Sequence, residues 1–280
     1  MVKFRVNFLP ESVGSIVSLV NLDVGRNRLT RLPDSIGNLI YLNNLDIHAN
    51  KLTHLPNSIG DLRSLTRLDV RDNKLPEIPE SLCSLASLKY LSIKSNKLSH
   101  IPESICGLSS LAYLYIHDNK LTRLPDSICD LASLIELIVC NNQLTSIPDS
   151  INRLTSFTQL DISCNRIVSL PHSIGNLPSL GRLYVGNNQL SVLPDSIGDL
   201  PSLTCLYVQE NMLVHLPESI GRLTALTHLY VQGNKLTCLP ESFQSLTSLA
   251  RLDIRNNNIS DLPHYAFDFM NPSFELIQGN

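Results

Sequence analysis

The segment Leu111–Ser133, LAYLYIHDNKLTRLPDSICDLAS, is the stretch from which the rest of the chain is read. Its frame is Leu111-x-x-Leu114-x-Ile116-x-x-Asn119-x-Leu121-x-x-Leu124-Pro125-x-Ser127-Ile128-x-x-Leu131, and Leu134 opens the next copy. Asparagine recurs in that frame at Asn27, Asn50, Asn73, Asn96, Asn119, Asn142, Asn165, Asn188, Asn211, Asn234 and Asn257, an unbroken spacing of 23 residues. An internal repeat of that length means stacked units, each of which buries its apolar face only against its neighbours.

Around Leu114 and Ile116 apolar and variable residues alternate with period two, as in a short strand with one buried face. Successive strands are then parallel neighbours. Pro125 interrupts regular hydrogen bonding, and Asp126-Ser127 ahead of Ile128 resembles a helix start, so the return leg is expected to hold one helical turn. Its Ile128 and Leu131 face the strand leucines. At roughly 1.5–3 kcal/mol per fully buried aliphatic side chain, the frame positions supply the stability. The asparagine contributes in another way. Where strand becomes loop, a buried carboxamide can donate and accept for backbone groups that have lost their ladder partners.

These residues resemble the leucine-rich repeat family in its 23-residue intracellular form, which occurs in Ras-suppressor-type scaffolds, plant intracellular Ras-group-related repeat proteins and bacterial effectors delivered into host cells. The resemblance covers Leu9 to Pro263. It implies an α/β fold: a right-handed solenoid, or horseshoe, with a concave parallel β-sheet and convex short helical turns and loops. Residues 1–18, with Phe4 where asparagine is due, read as an N-terminal cap; 19–263 as eleven repeats; and 264–280, with the lengthened leg Tyr265–Met270, as a C-terminal cap or degenerate twelfth repeat.

Composition narrows the function. With 43% hydrophobic and 17% charged residues the chain can fold, and 22 lysines and arginines against 25 acids, a net charge of -3, argue against a nucleic-acid partner. Neither a signal peptide nor a membrane span is legible. The seven scattered cysteines read as reduced thiols in a cytosol. The 17 residues after Pro263 are too few for an appended catalytic domain of the kind bacterial relatives carry.

Function is then expected at the outward strand positions. One column reads Asp23, Asp46, Asp69, Ser92, Tyr115, Ile138, Asp161, Tyr184, Tyr207, Tyr230, Asp253; the column before it includes Arg67, Tyr90, Tyr113, Glu136, Arg182, Cys205, His228 and Arg251. Six of the eight tyrosines fall in these two columns. At a strand spacing of about 4.8 Å, Tyr184, Tyr207 and Tyr230 stand side by side, and Tyr113, Tyr115 and Ile138 form a second apolar group. Exposed tyrosines mark binding surfaces. Toward the N-terminus the face is charged, with the aspartates in one column and His48, Arg71, Lys94 and His117 in another, suited either to steering a partner or to self-neutralising cross-strand pairs. The loop lysines Lys51, Lys74, Lys97 and Lys120 are assigned no role.

Chemistry beyond binding has little support. His117, Cys140 and Cys164, and Cys205 beside His228, are thiol and imidazole neighbours without a fourth ligand or oxyanion donors. Cys83, Cys106 and Cys129 stack where other repeats have glycine, a place for small residues. The expectation is a non-catalytic, cytoplasmic, monomeric scaffold without metal or cofactor, binding a protein partner through Tyr90, Tyr113, Tyr115, Ile138, Tyr184, Tyr207 and Tyr230 with Arg67, Arg71, Lys94, His117, Arg182 and Arg251. Alternatives are a bacterial effector module, a thiol-dependent enzyme, and a self-associating repeat protein. Arg5-Val6-Asn7-Phe8 fits a docking motif for protein phosphatase-1, but Val6 coincides with the buried leucine of the frame and is expected to be a cap residue.

Overall fold

The computed structural model describes residues 6–260, 262 and 274–279, and the chain divides into two compact units, Met1–Asn142 and Gln143–Asn280. In the first, β1 (Asn21–Asp23), β2 (Asn44–Asp46), β3 (Arg67–Asp69), β4 (Tyr90–Ser92), β5 (Tyr113–Tyr115) and β6 (Glu136–Ile138) pair in sequence order. All pairs are parallel and in register at the repeat interval, Leu91 opposite Leu114 and Tyr115 opposite Ile138. In the second unit β7 (Gln159–Asp161), β8 (Arg182–Tyr184), β9 (Cys205–Tyr207), β10 (His228–Tyr230), β11 (Arg251–Asp253) and β12 (Glu275–Ile277) pair likewise. The closing step is one residue longer than the repeat, because Arg251 pairs with Glu275. The extended return leg Tyr265–Met270 lies outside the described residues.

Each return leg among the described residues holds a 3₁₀ turn, Asp126–Asp130 in the type repeat. The expected side-chain start signal is not used: Pro125, with φ -68° and ψ 147°, precedes the turn, and no side chain caps it. Proline's fixed φ sets the entry angle instead. At Gly198 a Cβ would run into the carbonyl oxygen of Ser219 on the next turn, so the column favours glycine for close approach. No helix among the described residues is long and apolar enough to cross a membrane.

The frame residues form the core: Leu111, Leu114, Ile116, Leu121, Ile128 and Leu131 are all fully buried. Asn50 shows the asparagine's role. Its Oδ1 accepts the Leu29 N–H at 2.9 Å, and its Nδ2 donates to the carbonyls of Val24 and Ile47, each at 3.0 Å. The residue before each asparagine takes a left-handed conformation, from Arg26 (φ 57°) to Asn256 (φ 53°), with glycine there only at Gly233. At the N-terminal end the frame is kept by the backbone but not by burial. Val6 donates its N–H to Asn27 Oδ1 at 2.8 Å, yet it is 43% exposed, because no coil among the described residues covers it.

Candidate partner-binding face

In the second unit the register of β8, β9 and β10 aligns three tyrosines. Tyr184 and Tyr207 stack with ring centroids 4.5 Å apart and planes at 20°, and Tyr207 and Tyr230 at 4.5 Å and 10°. Because neighbouring rings cover each other's faces, the stack offers edges and hydroxyls. Burial first, then Cys205 and the flanking tyrosines, push the Tyr207 phenol up to about 12, so it stays a hydrogen-bond donor at neutral pH. These rings are half-buried rather than fully exposed, a consequence of the stacking. The Arg251 guanidinium carbon lies 5.8 Å from the Tyr230 ring centroid, and its Nε is 3.7 Å from Glu275. Arg182 is exposed and donates to Gln159 Oε1 at 3.4 Å.

The first unit uses its tyrosines differently. Tyr115, register-paired with Ile138 on one side, meets Tyr90 edge-on at 5.3 Å and 61° on the other. Ser92, opposite Tyr115 in the register, is small and 1% exposed, which lets the ring lean across it toward Tyr90. The Arg67 guanidinium sits 3.7 Å over Tyr90, and the Tyr115 phenol, raised to about 12 by burial and then by the Glu136 charge and hydrogen bond, closes the chain of contacts. Tyr113, at 37% exposure, is the one candidate ring that stands well out; Ile138 is half-buried.

In the charged columns the shortest ion pairs join residues two apart in the chain, His48 with Asp46 and Arg71 with Asp69, while Arg26 reaches His48 from the neighbouring coil. Arg71 Nη1 is 2.8 Å from Asp69 Oδ2 and Arg67 Nη2 3.6 Å from it, while Asp69 is 1% exposed. Burial outweighs both arginines and raises the Asp69 carboxyl above the usual range. Arg67 and Arg71 are thus committed largely within the molecule. Lys94 and His117 are half-buried in the same column, with His117 Nε2 3.9 Å from Asp118. The four loop lysines are exposed.

The cysteines of the expected thiol and imidazole pairs are all free thiols, Cys140 and Cys205 half-buried and Cys164 exposed. Cys205 is register-paired with His228, whose Nδ1 lies 2.9 Å from Thr227 Oγ1. Cys164 occupies a left-handed backbone position, and burial raises the Cys83 thiol, which disfavours a thiolate. Among the described residues the one trio of ligating side chains brought together is Asp23, Asp46 and His48. There His48 Nδ1 lies 2.6 Å from Asp46 and Arg26 Nε donates to His48 Nε2 at 3.3 Å, so both ring nitrogens are engaged by the protein itself. Of the phosphatase-type motif, Arg5 lies outside the described residues. Phe8 is 69% exposed, but the Val6 backbone, which strand addition would need, is bonded to Asn27 and Arg28.

A family model described as a leucine-rich repeat region matches residues 2–89, 79–167 and 160–238, and one of two leucine-rich repeat copies matches 224–266. No curated protein matches. Among solved structures, a leucine-rich repeat protein of Leptospira interrogans is 29% identical with a TM-score of 0.64, over 97% of this chain and 81% of that one. A plant peptide hormone receptor, RGFR1 in complex with RGF2, is 28% identical with a TM-score of 0.79, over 97% of this chain and 49% of the receptor. The functional domain of InlJ from Listeria monocytogenes, which includes a cysteine ladder, is 26% identical with a TM-score of 0.77, over 94% and 53%. The chain thus spans about half of these last two. Its asparagine-locked coils and these matches agree: the chain belongs to the leucine-rich repeat family.

Proposed function

We propose that this protein is a non-catalytic scaffold that binds a protein partner on the strand face of residues 143–279, with Tyr184, Tyr207 and Tyr230 as anchors. The observation that carries this reading is the three-ring stack itself, which is large, pre-ordered and edged with hydroxyl donors. Ordering the rings before binding lowers the entropy cost of docking, and a few aromatic anchors dominate the energy of most interfaces. The plant receptor solved in complex with RGF2 supports a binding role for this fold. We place the protein in a cytosol, the compartment to which its scattered cysteines point.

The test is a pull-down from cytosolic lysate with wild type and a Tyr184, Tyr207, Tyr230→Ala variant shown by circular dichroism to be folded. A protein retained only by wild type supports the reading. Equal retention by both baits overturns it.

A further inference from the structure

The strand-face aspartates differ in what neutralises them. Asp46, Asp69 and Asp253 each meet a basic side chain two residues on: His48 at 2.6 Å, Arg71 at 2.8 Å and Arg255 at 2.6 Å. Asp23 accepts the Gly25 N–H at 2.9 Å and has a carboxylate oxygen within 4.8 Å of a His48 ring nitrogen. Asp161 has Ser163 in that place. Its Oδ1 accepts the Ser163 N–H at 3.0 Å and the Ser163 hydroxyl at 2.6 Å, and among the described residues no cation lies within ion-pair distance of its carboxylate.

Asp161 also flanks the tyrosine stack. Tyr184 is register-paired with Asp161 at one end, as Tyr230 is with Asp253 at the other. On the Asp253 side the frame positions before and after the aspartate are Arg251, over the Tyr230 ring, and Arg255, paired with the carboxylate. On the Asp161 side the same two positions are Gln159 and Ser163, both uncharged. Arg182, on the adjoining strand, directs Nη1 to Gln159 instead. In the first unit Arg67 shows how one guanidinium serves both groups, 3.7 Å over Tyr90 and 3.6 Å from Asp69.

The geometry points to the Asp161–Tyr184 step as the seat of an arginine side chain from a protein partner. Its guanidinium pairs with the Asp161 carboxylate and lies beside the Tyr184 ring. This inference rests on the partner-binding reading of the same face and adds the charge that the partner must bring. A planar guanidinium suits carboxylate and ring together, whereas a lysine ammonium satisfies only the charge.

The probe is the peptide acetyl-Gly-Arg-Gly-amide, titrated into the full chain with ring-labelled tyrosines and followed by NMR, with acetyl-Gly-Lys-Gly-amide as control. We expect a saturable shift of the Tyr184 ring signals by the arginine peptide, weaker binding of the lysine peptide, and binding about tenfold weaker in Asp161→Asn but unchanged in Asp253→Asn. Asparagine keeps the acceptor for Ser163, so the fold is retained. An absent or unsaturable response in wild type, or the same curve in Asp161→Asn, overturns the proposal. Failure of the underlying reading looks different: the tyrosine-to-alanine variant then keeps the partner in the pull-down. If only the arginine seat fails, those alanines release the partner while Asp161→Asn retains it.

Discussion

The strand faces of the two units are built on one frame and differ in what their tyrosines touch. In residues 6–142, Tyr90 and Tyr115 are joined at one end to Arg67 and at the other to Glu136, so the aromatic group is closed by the chain's own charges. In residues 143–279, Tyr184, Tyr207 and Tyr230 contact one another in parallel, and one flank ends at an aspartate with no cation of its own among the described residues. The frame thus decides where a side chain stands. Its neighbours one repeat away decide whether it is used up internally or left to meet a partner.

If the frame is equivalent in both units, breaking it should cost the same in each. Asn73→Ala and Asn211→Ala each strand a backbone donor and carbonyls that the carboxamide now serves. We expect each to lower stability by about 3 kcal/mol in urea denaturation. A clear inequality would mean that the units differ in their core and not only in their faces.

The next effect separates the tyrosines by cause. Both Tyr115 and Tyr207 are raised to about 12, but Glu136 acts on Tyr115 alone. In a spectrophotometric titration Glu136→Gln should bring one phenol down toward the ordinary value of about 10 and leave the Tyr207 step in place. Movement of both steps would break the distinction.

A smaller effect concerns Asp69. Its folded carboxyl is raised, so the folded state binds a proton more tightly than the unfolded state, and stability falls as pH rises through the window above the usual value of about 3.9. Asp69→Asn should remove that decline. Glu218 has the opposite sign: lowered by the N–H groups of Ser242 and Glu241, it adds stability above the ordinary glutamate range that is lost on acidification through its lowered value. Glu218→Gln should flatten that acid limb in the second unit.

The smallest effect follows from side-chain reach. Glu80 and Glu103 accept the hydroxyl of the serine on the next coil, Ser104 and Ser127, whereas Glu218 takes only the N–H of Ser242. Where the shorter Asp34 or Asp195 stands instead, the hydroxyls of Ser58 and Ser219 are buried without a partner. Asp195→Glu should therefore stabilise by about 0.5 kcal/mol, measured by urea denaturation.

Much of the fold was legible because the asparagine spacing leaves one register, from which the parallel strands, the buried leucines and the Tyr184–Tyr207–Tyr230 row all follow. Other features depend on geometry that residue types do not announce. The left-handed position before each asparagine carries Asp or Asn in five coils, Asp72, Asp118, Asn141, Asn187 and Asn256, and glycine only at Gly233, while Arg26, Ala49, Ser95, Cys164 and Glu210 fill the other five, so no single residue type marked it. The pairing of Arg67 with Tyr90 depends on rotamers, and the burial of Asp69 on long neighbours lying across it. The difference between Asp161 and Asp253 was open to reading, since the residue two places on is serine in one and arginine in the other.

The most direct test of the central claim is the affinity of the retained partner, by calorimetry, for two matched variants. One carries alanine at Tyr184, Tyr207 and Tyr230, the other at Tyr90, Tyr113 and Tyr115. The account predicts that the first loses binding and the second keeps it. Binding kept by the first, or lost only by the second, would contradict it.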